Sequence, residues 1–180
     1  DAFMLESVTG GEVRGRYSII GMKPDLIWRC HGDYAEVNRK ARYDADAFEP
    51  CPGGAMDSLR AILDESAIDL PEGMPPMSAG LVGYMSYDMV RLMEKLPDEN
   101  PKFIEVPDGL FRRTSVIAVL DTIGDLVTVI TPERPEAGVD AVTAYRQAQE
   151  RLADIGADFE RSLPYRRETA ADSAELPAPQ

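Results

Sequence analysis

A carboxylate and a hydroxyl, Glu6-Ser7, follow directly on the apolar run Phe3-Met4-Leu5. At a strand end such a pair can meet the ammonium and polar groups of a small zwitterionic ligand, because hydrogen bonds to an ionised group are short and strong. The competing reading is a turn that Ser7 opens, with Glu6 solvated. Gly10, Gly11 and Gly15 follow, and then a second apolar run, Tyr17-Ser18-Ile19-Ile20. Two strands joined by a turn-rich connection fit this pattern, since glycine reaches the positive-φ conformations that such turns use. Tyr17 and Ser18 then lie across the hairpin from Glu6.

Other chemistry-bearing residues are sparse. His31, the only histidine, stands beside Gly32-Asp33 without a second histidine or an apt cysteine at motif distance, and reads as a turn residue. Cys30 and Cys51 fit neither a metal spacing nor a disulfide framework and read as reduced thiols. No Ser-His-Asp or Cys-His arrangement, P-loop or dinucleotide fingerprint occurs, and Gly80-x-x-Gly83 is too weak to argue for phosphate binding. The residues therefore suggest no catalytic group and no metal ligand in this segment.

The elements that would hold Glu6 and Ser7 form a mixed pattern. At 180 residues with 44% hydrophobic content, the chain can fold as one domain with a real core. A formal charge of -13 argues against nucleic acid as a partner. No apolar run approaches the ~20 residues of a membrane span. The visible N-terminus, Asp1, does not read as a signal peptide, so a trimmed, cytoplasmic protein is expected. Asp25–Lys40 alternates like a second hairpin turning at His31-Gly32-Asp33, with Trp28 as a core anchor. Ala41–Gly54 reads as a loop, and Asp57 as the cap of a helix to about Ala67 with Met56, Leu59, Ile62 and Leu63 on one face. Ile68–Met77 is proline-rich and reads as a loop.

Ala79–Met85 reads as a strand whose glycines permit close backbone approach or a bend. Tyr87–Met93 has a helical rhythm that spaces Asp88 and Arg91 for an ion pair. After the proline-bracketed connection Pro97–Pro107, Leu110–Asp121 and Leu126–Thr131 form a hairpin through Ile123-Gly124-Asp125. Their near-continuous apolar runs place both strands centrally in the sheet. Gly138–Leu163 reads as a helix packing the stripe Tyr145, Ala148, Leu152, Ile155 and Phe159 on the sheet. The expected fold is α+β, a largely antiparallel sheet of hairpins with a few packed helices.

Three stretches, MLESVTGGEVRGRYSIIG, PDLIW and GLVGYMSYDMVRLMEKLP, resemble the N-terminal region of anthranilate synthase component I, with the likeness running over about residues 3 to 132. Met4 replaces the family's usual leucine, and Ser86 stands where a glycine is common. The resemblance implies a regulatory and scaffold domain over 1–163 and a linker over 164–180, leading to an absent chorismate-binding catalytic domain. It also implies that the sheet stacks on a second sheet from that domain and leaves an apolar face on this one. The family is a lyase that makes anthranilate and pyruvate from chorismate and glutamine-derived ammonia, the first committed step of tryptophan biosynthesis. The segment would supply half of an L-tryptophan feedback site through Ser7, Glu6, Leu5, Tyr17 and Ser18, with Leu5 and Ile20 as an apolar wall. A glutamine amidotransferase subunit (component II) is the implied partner, and Mg2+ belongs to the full-length enzyme, with no cofactor in this segment. Two alternatives stand beside this reading: the related para-aminobenzoate synthase component I, and a non-catalytic interaction module for the amidotransferase.

Overall fold

A computed structural model describes residues 2–6, 15–97, 104–134 and 138–162. In chain order the elements are β1 Ala2–Glu6, β2 Tyr17–His31, β3 Tyr34–Asn38, β4 Glu49–Pro50, α1 Ala55–Ser66 and β5 Leu81–Met85. A 3-10 helix, Tyr87–Leu92, then leads to β6 Gly109–Asp121, β7 Leu126–Ile130 and α2 Ala141–Glu160. The described strands form one antiparallel sheet of seven, so the α+β expectation holds. The segment 164–180, read as a linker, lies outside the described residues.

Two long strands organise the sheet. β2 and β6 pair from Tyr17 opposite Asp121 to Cys30 opposite Gly109. At one end β3 and β4 extend the sheet beyond β2, and β5 extends it beyond β6. At the other end β1 lies beside β2 and β7 beside β6. The sequence pattern separates the run ending at Ile20 from the strand starting at Asp25, yet the structure makes them one strand. A register shift between Pro24, which still stands opposite Thr114, and Leu26 leaves Asp25 as the extra residue of a bulge and absorbs the irregularity. Ser115 Oγ donates to the Lys23 carbonyl at 2.6 Å and closes that gap.

Cross-strand partners share a face, so the register sorts side chains into two surfaces. Leu26, Trp28, Cys30, Ala35 and Val37 share one face and form a core with Leu59 and Ile62 of α1 and Met89 of the 3-10 helix. Ile19, Ile117, Val119 and Ile130 continue that same face at the other end, with Phe3, Tyr17 and Met74 packed against them. Trp28 is fully buried, and its Nε1 donates to Ser58 Oγ at 3.0 Å, which satisfies the one polar atom of the ring. Its ring also meets Phe111 with centroids 6.0 Å apart. Close backbone approach is realised at Gly83, where a Cβ would stand 1.8 Å from the Leu110 carbonyl oxygen.

Several expectations need correction. Gly54, not Asp57, is the N-cap of α1, and the Ala55 amide is satisfied by Asp33 Oδ1 at 2.8 Å. The carboxylate thus comes from the β2–β3 turn and not from the helix's own first turn, where Asp57 pairs with Arg60. Leu63 faces outward, because Ser58 and Ser66 occupy buried positions of the helix instead. The Ala41–Gly54 loop contains β4, whose Pro50 sits on a sheet edge where no amide donor is required. β6 is central as expected, but β7 is an outer strand, and its Leu126 and Val127 are 60% and 47% exposed. Of the α2 stripe only Ala148 and Ile155 are buried, while Tyr145 and Phe159 are exposed. Asp140 caps α2 by accepting from the Thr143 amide at 2.8 Å, which holds its carboxyl below the ordinary range. The Asp88–Arg91 pair forms as the spacing implies, at 3.1 Å.

Trp28→Ala removes the largest buried side chain and leaves a cavity beside the Ser58 hydroxyl, which keeps its bond to the Ala55 carbonyl. A loss of about 3–5 kcal/mol in unfolding free energy is expected, measured by urea titration. A loss below about 1 kcal/mol contradicts the anchoring role.

Candidate functional site

The opening hairpin pairs β1 with β2 so that Glu6 stands directly opposite Ser18 and Leu5 opposite Ile19. The first pair faces away from the core and the second toward it. Of the residues singled out by sequence, the structure thus brings Glu6 and Ser18 together on one face. Leu5 and Tyr17 lie on the other face, diagonal to each other across the two strands. Ser7 lies outside the described residues. Leu5 and Ile20 fall on opposite faces, so the apolar neighbours on Glu6's side are Met4 and Ile20, a directly opposed pair.

The register carries this surface across four strands. Glu6, Ser18, Leu120 and Val127 form one row, and Met4, Ile20, Ala118 and Val129 form the next. Met4 is 57% exposed and Ile20, Leu120 and Val129 are half-buried, whereas the small central Ala118 is buried. An apolar strip with a carboxylate and a hydroxyl at its end is the result. On the core side, Gly21 makes room for Phe3, since a Cβ there would stand 2.0 Å from the Phe3 ring.

A second set of groups, missed by sequence reasoning, pins the base of the hairpin. Arg16 donates from Nε and Nη2 to the two carboxylate oxygens of Asp121, at 2.8 and 2.6 Å. The Arg16 carbonyl accepts from the Thr122 amide and hydroxyl at 3.0 and 2.9 Å. The guanidinium also lies over the Tyr17 ring, 4.9 Å from its centroid. Hydrogen bonds from Arg16 first, and from the Gly124 and Ile123 amides, hold the Asp121 carboxyl well below the usual carboxylate range. The sequence shows Arg16 beside Gly15 and Tyr17, but its partner is more than a hundred residues away and no local pattern links them.

His31 is exposed at the hairpin tip. Cys30 is buried, and burial pushes the Cys51 thiol up, the opposite of an activated nucleophile. No group of three or more His, Cys, Asp or Glu side chains among the described residues could hold a metal ion. No described helix is long and apolar enough to cross a membrane.

The arrangement of this antiparallel sheet and its helices has a counterpart among solved structures. The crystal structure of anthranilate synthase component I from Streptococcus pneumoniae superposes with a TM-score of 0.63, over 90% of this chain and 32% of that one. At 18% identity this likeness shows a shared fold. Among curated relatives, anthranilate synthase component 1 of Cereibacter sphaeroides is 51% identical over 168 residues, 93% of this chain and 34% of that protein. The proteins of the same name from Synechocystis and Pseudomonas putida are each 31% identical, over 166 and 178 residues. No family model matches the sequence. The chain belongs to the anthranilate synthase component 1 family and spans about a third of the length of these relatives.

Because the folded Asp121 carboxyl is depressed, its pairing contributes stability above the ordinary aspartate range and loses it as the pH falls below about 4. Asp121→Asn is expected to lower the unfolding temperature at pH 7, with the gap to the parent protein narrowing as acid is added. A gap that stays constant from pH 7 to pH 3 contradicts the assignment.

Proposed function

We propose that this chain is the N-terminal regulatory and scaffold part of an anthranilate synthase component I and that it holds half of an L-tryptophan feedback site. The observation that carries the reading is the apolar strip on the outer sheet face, with Glu6 and Ser18 paired at its end. Glu6 would meet the ligand ammonium and the Ser18 hydroxyl its polar groups, while Met4 and Ile20 flank the indole. Ser7 follows Glu6 directly in sequence and is the strongest single candidate by resemblance. Leu5 and Tyr17 back the two strands from the core side and hold their spacing. A ligand held between this face and the remainder of the polypeptide favours one relative arrangement of the two and so lowers activity at a distance.

The reaction itself, chorismate and ammonia to anthranilate and pyruvate, belongs in this reading to the remainder of the protein. Ammonia would come from a glutamine amidotransferase subunit, and the whole would work in the cytoplasm as a lyase of tryptophan biosynthesis. The Mg2+ that the family implies would be held, in this reading, by that remainder.

In the full-length enzyme, Ser7→Phe is expected to raise the L-tryptophan concentration for half-inhibition about tenfold or more, read from initial rates of anthranilate formation. Inhibition unchanged from the parent enzyme removes Ser7 from the site.

A further inference from the structure

The side of the molecule where α1 ends holds a polar cleft of about 360 Å³, away from the opening hairpin. Arg39, Arg42, Arg113 and Arg134 line it. The setting is unusual for a chain with 32 acidic and 19 basic residues. The acids that share the cleft are already engaged. Asp25 accepts from Arg113 Nε at 2.9 Å, Glu65 pairs with Arg39, and Glu133 pairs with Arg151 of α2.

That distribution leaves two guanidiniums without an ion-pair partner in contact among the described residues, although the Asp25 charge acts on Arg134. Arg42 has no ion-pair partner there. Arg134 donates from Nε to the Ser66 carbonyl at 3.1 Å, but its Nη2 is buried and meets no acceptor. Arg113 donates to the hydroxyl of the same Ser66 at 3.2 Å, so the end of α1 draws Arg113 and Arg134 together. Burial first, and then the neighbouring Arg113 charge, lower the Arg134 guanidinium's hold on its proton, as burial and Arg42 do for Arg151. A buried donor without an acceptor costs free energy, and like charges held together add to that cost. Both are relieved by an acceptor that carries negative charge and several oxygens.

We propose that this cleft binds a small oxyanion, the phosphate or carboxylate group of a metabolite, on Arg42 and Arg134. Arginine forks match such groups with paired N–H donors, and the volume lies at the small end of ligand sites. The pre-formed ion pairs of Arg113 and Arg39 fix the cleft walls before the ligand arrives. Nothing in the proposed feedback reading requires this site, and the residues of the two do not overlap.

The test is calorimetric titration of the full-length protein with inorganic phosphate and, separately, with malonate, in dilute chloride buffer. Saturable binding of either is expected: phosphate alone identifies a phosphate site, malonate alone a carboxylate site, and both a general oxyanion site. Arg42→Glu and Arg134→Met are each expected to weaken the binding about tenfold or more. Arg146→Glu, an equal charge change at an exposed position of α2, is expected to leave it unchanged. Arg42 is itself exposed, so its variant keeps the test valid should Arg134→Met fail to fold. Absence of saturable heat with both anions, or binding insensitive to the Arg42 change, overturns the proposal, as does an equal loss in Arg146→Glu.

Discussion

The continuous pairing of β2 with β6 is the constraint on which the rest of the molecule depends. Each strand serves two different flanking sets, so the ladder welds two hydrophobic clusters into one body. It survives the proline at position 24 only because a bulge takes up the irregularity and Ser115 reaches across to the Lys23 carbonyl. Without that accommodation the opening hairpin would be a separate two-stranded ribbon, and such ribbons are marginal in water.

The bulge moves β2 by one residue while β6 alternates without a break, so the two faces keep separate identities from one end to the other. One face is filled by Trp28 and its neighbours under α1 and the 3-10 helix, and by the smaller cluster around Ile19 and Ile117. The opposite face carries Met4, Ile20, Leu120, Val127 and Val129 toward solvent. A contiguous apolar strip of this kind marks a contact surface. In the proposed reading the remainder of a component I polypeptide covers it, and the corner held by Glu6 and Ser18 becomes part of a shared pocket.

The hairpins, the core role of Trp28 and the central place of β6 were legible in the sequence, because each is written in local alternation and turn chemistry. The resemblance located the family on the same stretches. What escaped was decided by partners distant in the chain. Asp33 satisfies the start of α1 from another hairpin, so no residue near Asp57 announces it. β7 has the apolar composition of a buried strand but lies at an edge, and composition cannot tell a covered face from one awaiting a partner. The Arg16–Asp121 clamp and the arginine-lined cleft likewise join residues whose spacing in sequence carries no signal.

The central claim is that the outer sheet face of this segment is a seat for the rest of its own protein. The most direct measurement is maleimide labelling of Val127→Cys in the full-length enzyme, with Leu63→Cys on the exposed side of α1 as the reference. The account predicts that Val127→Cys reacts about tenfold more slowly than Leu63→Cys, although both positions are about half exposed in this segment. Equal rates for the two would contradict it.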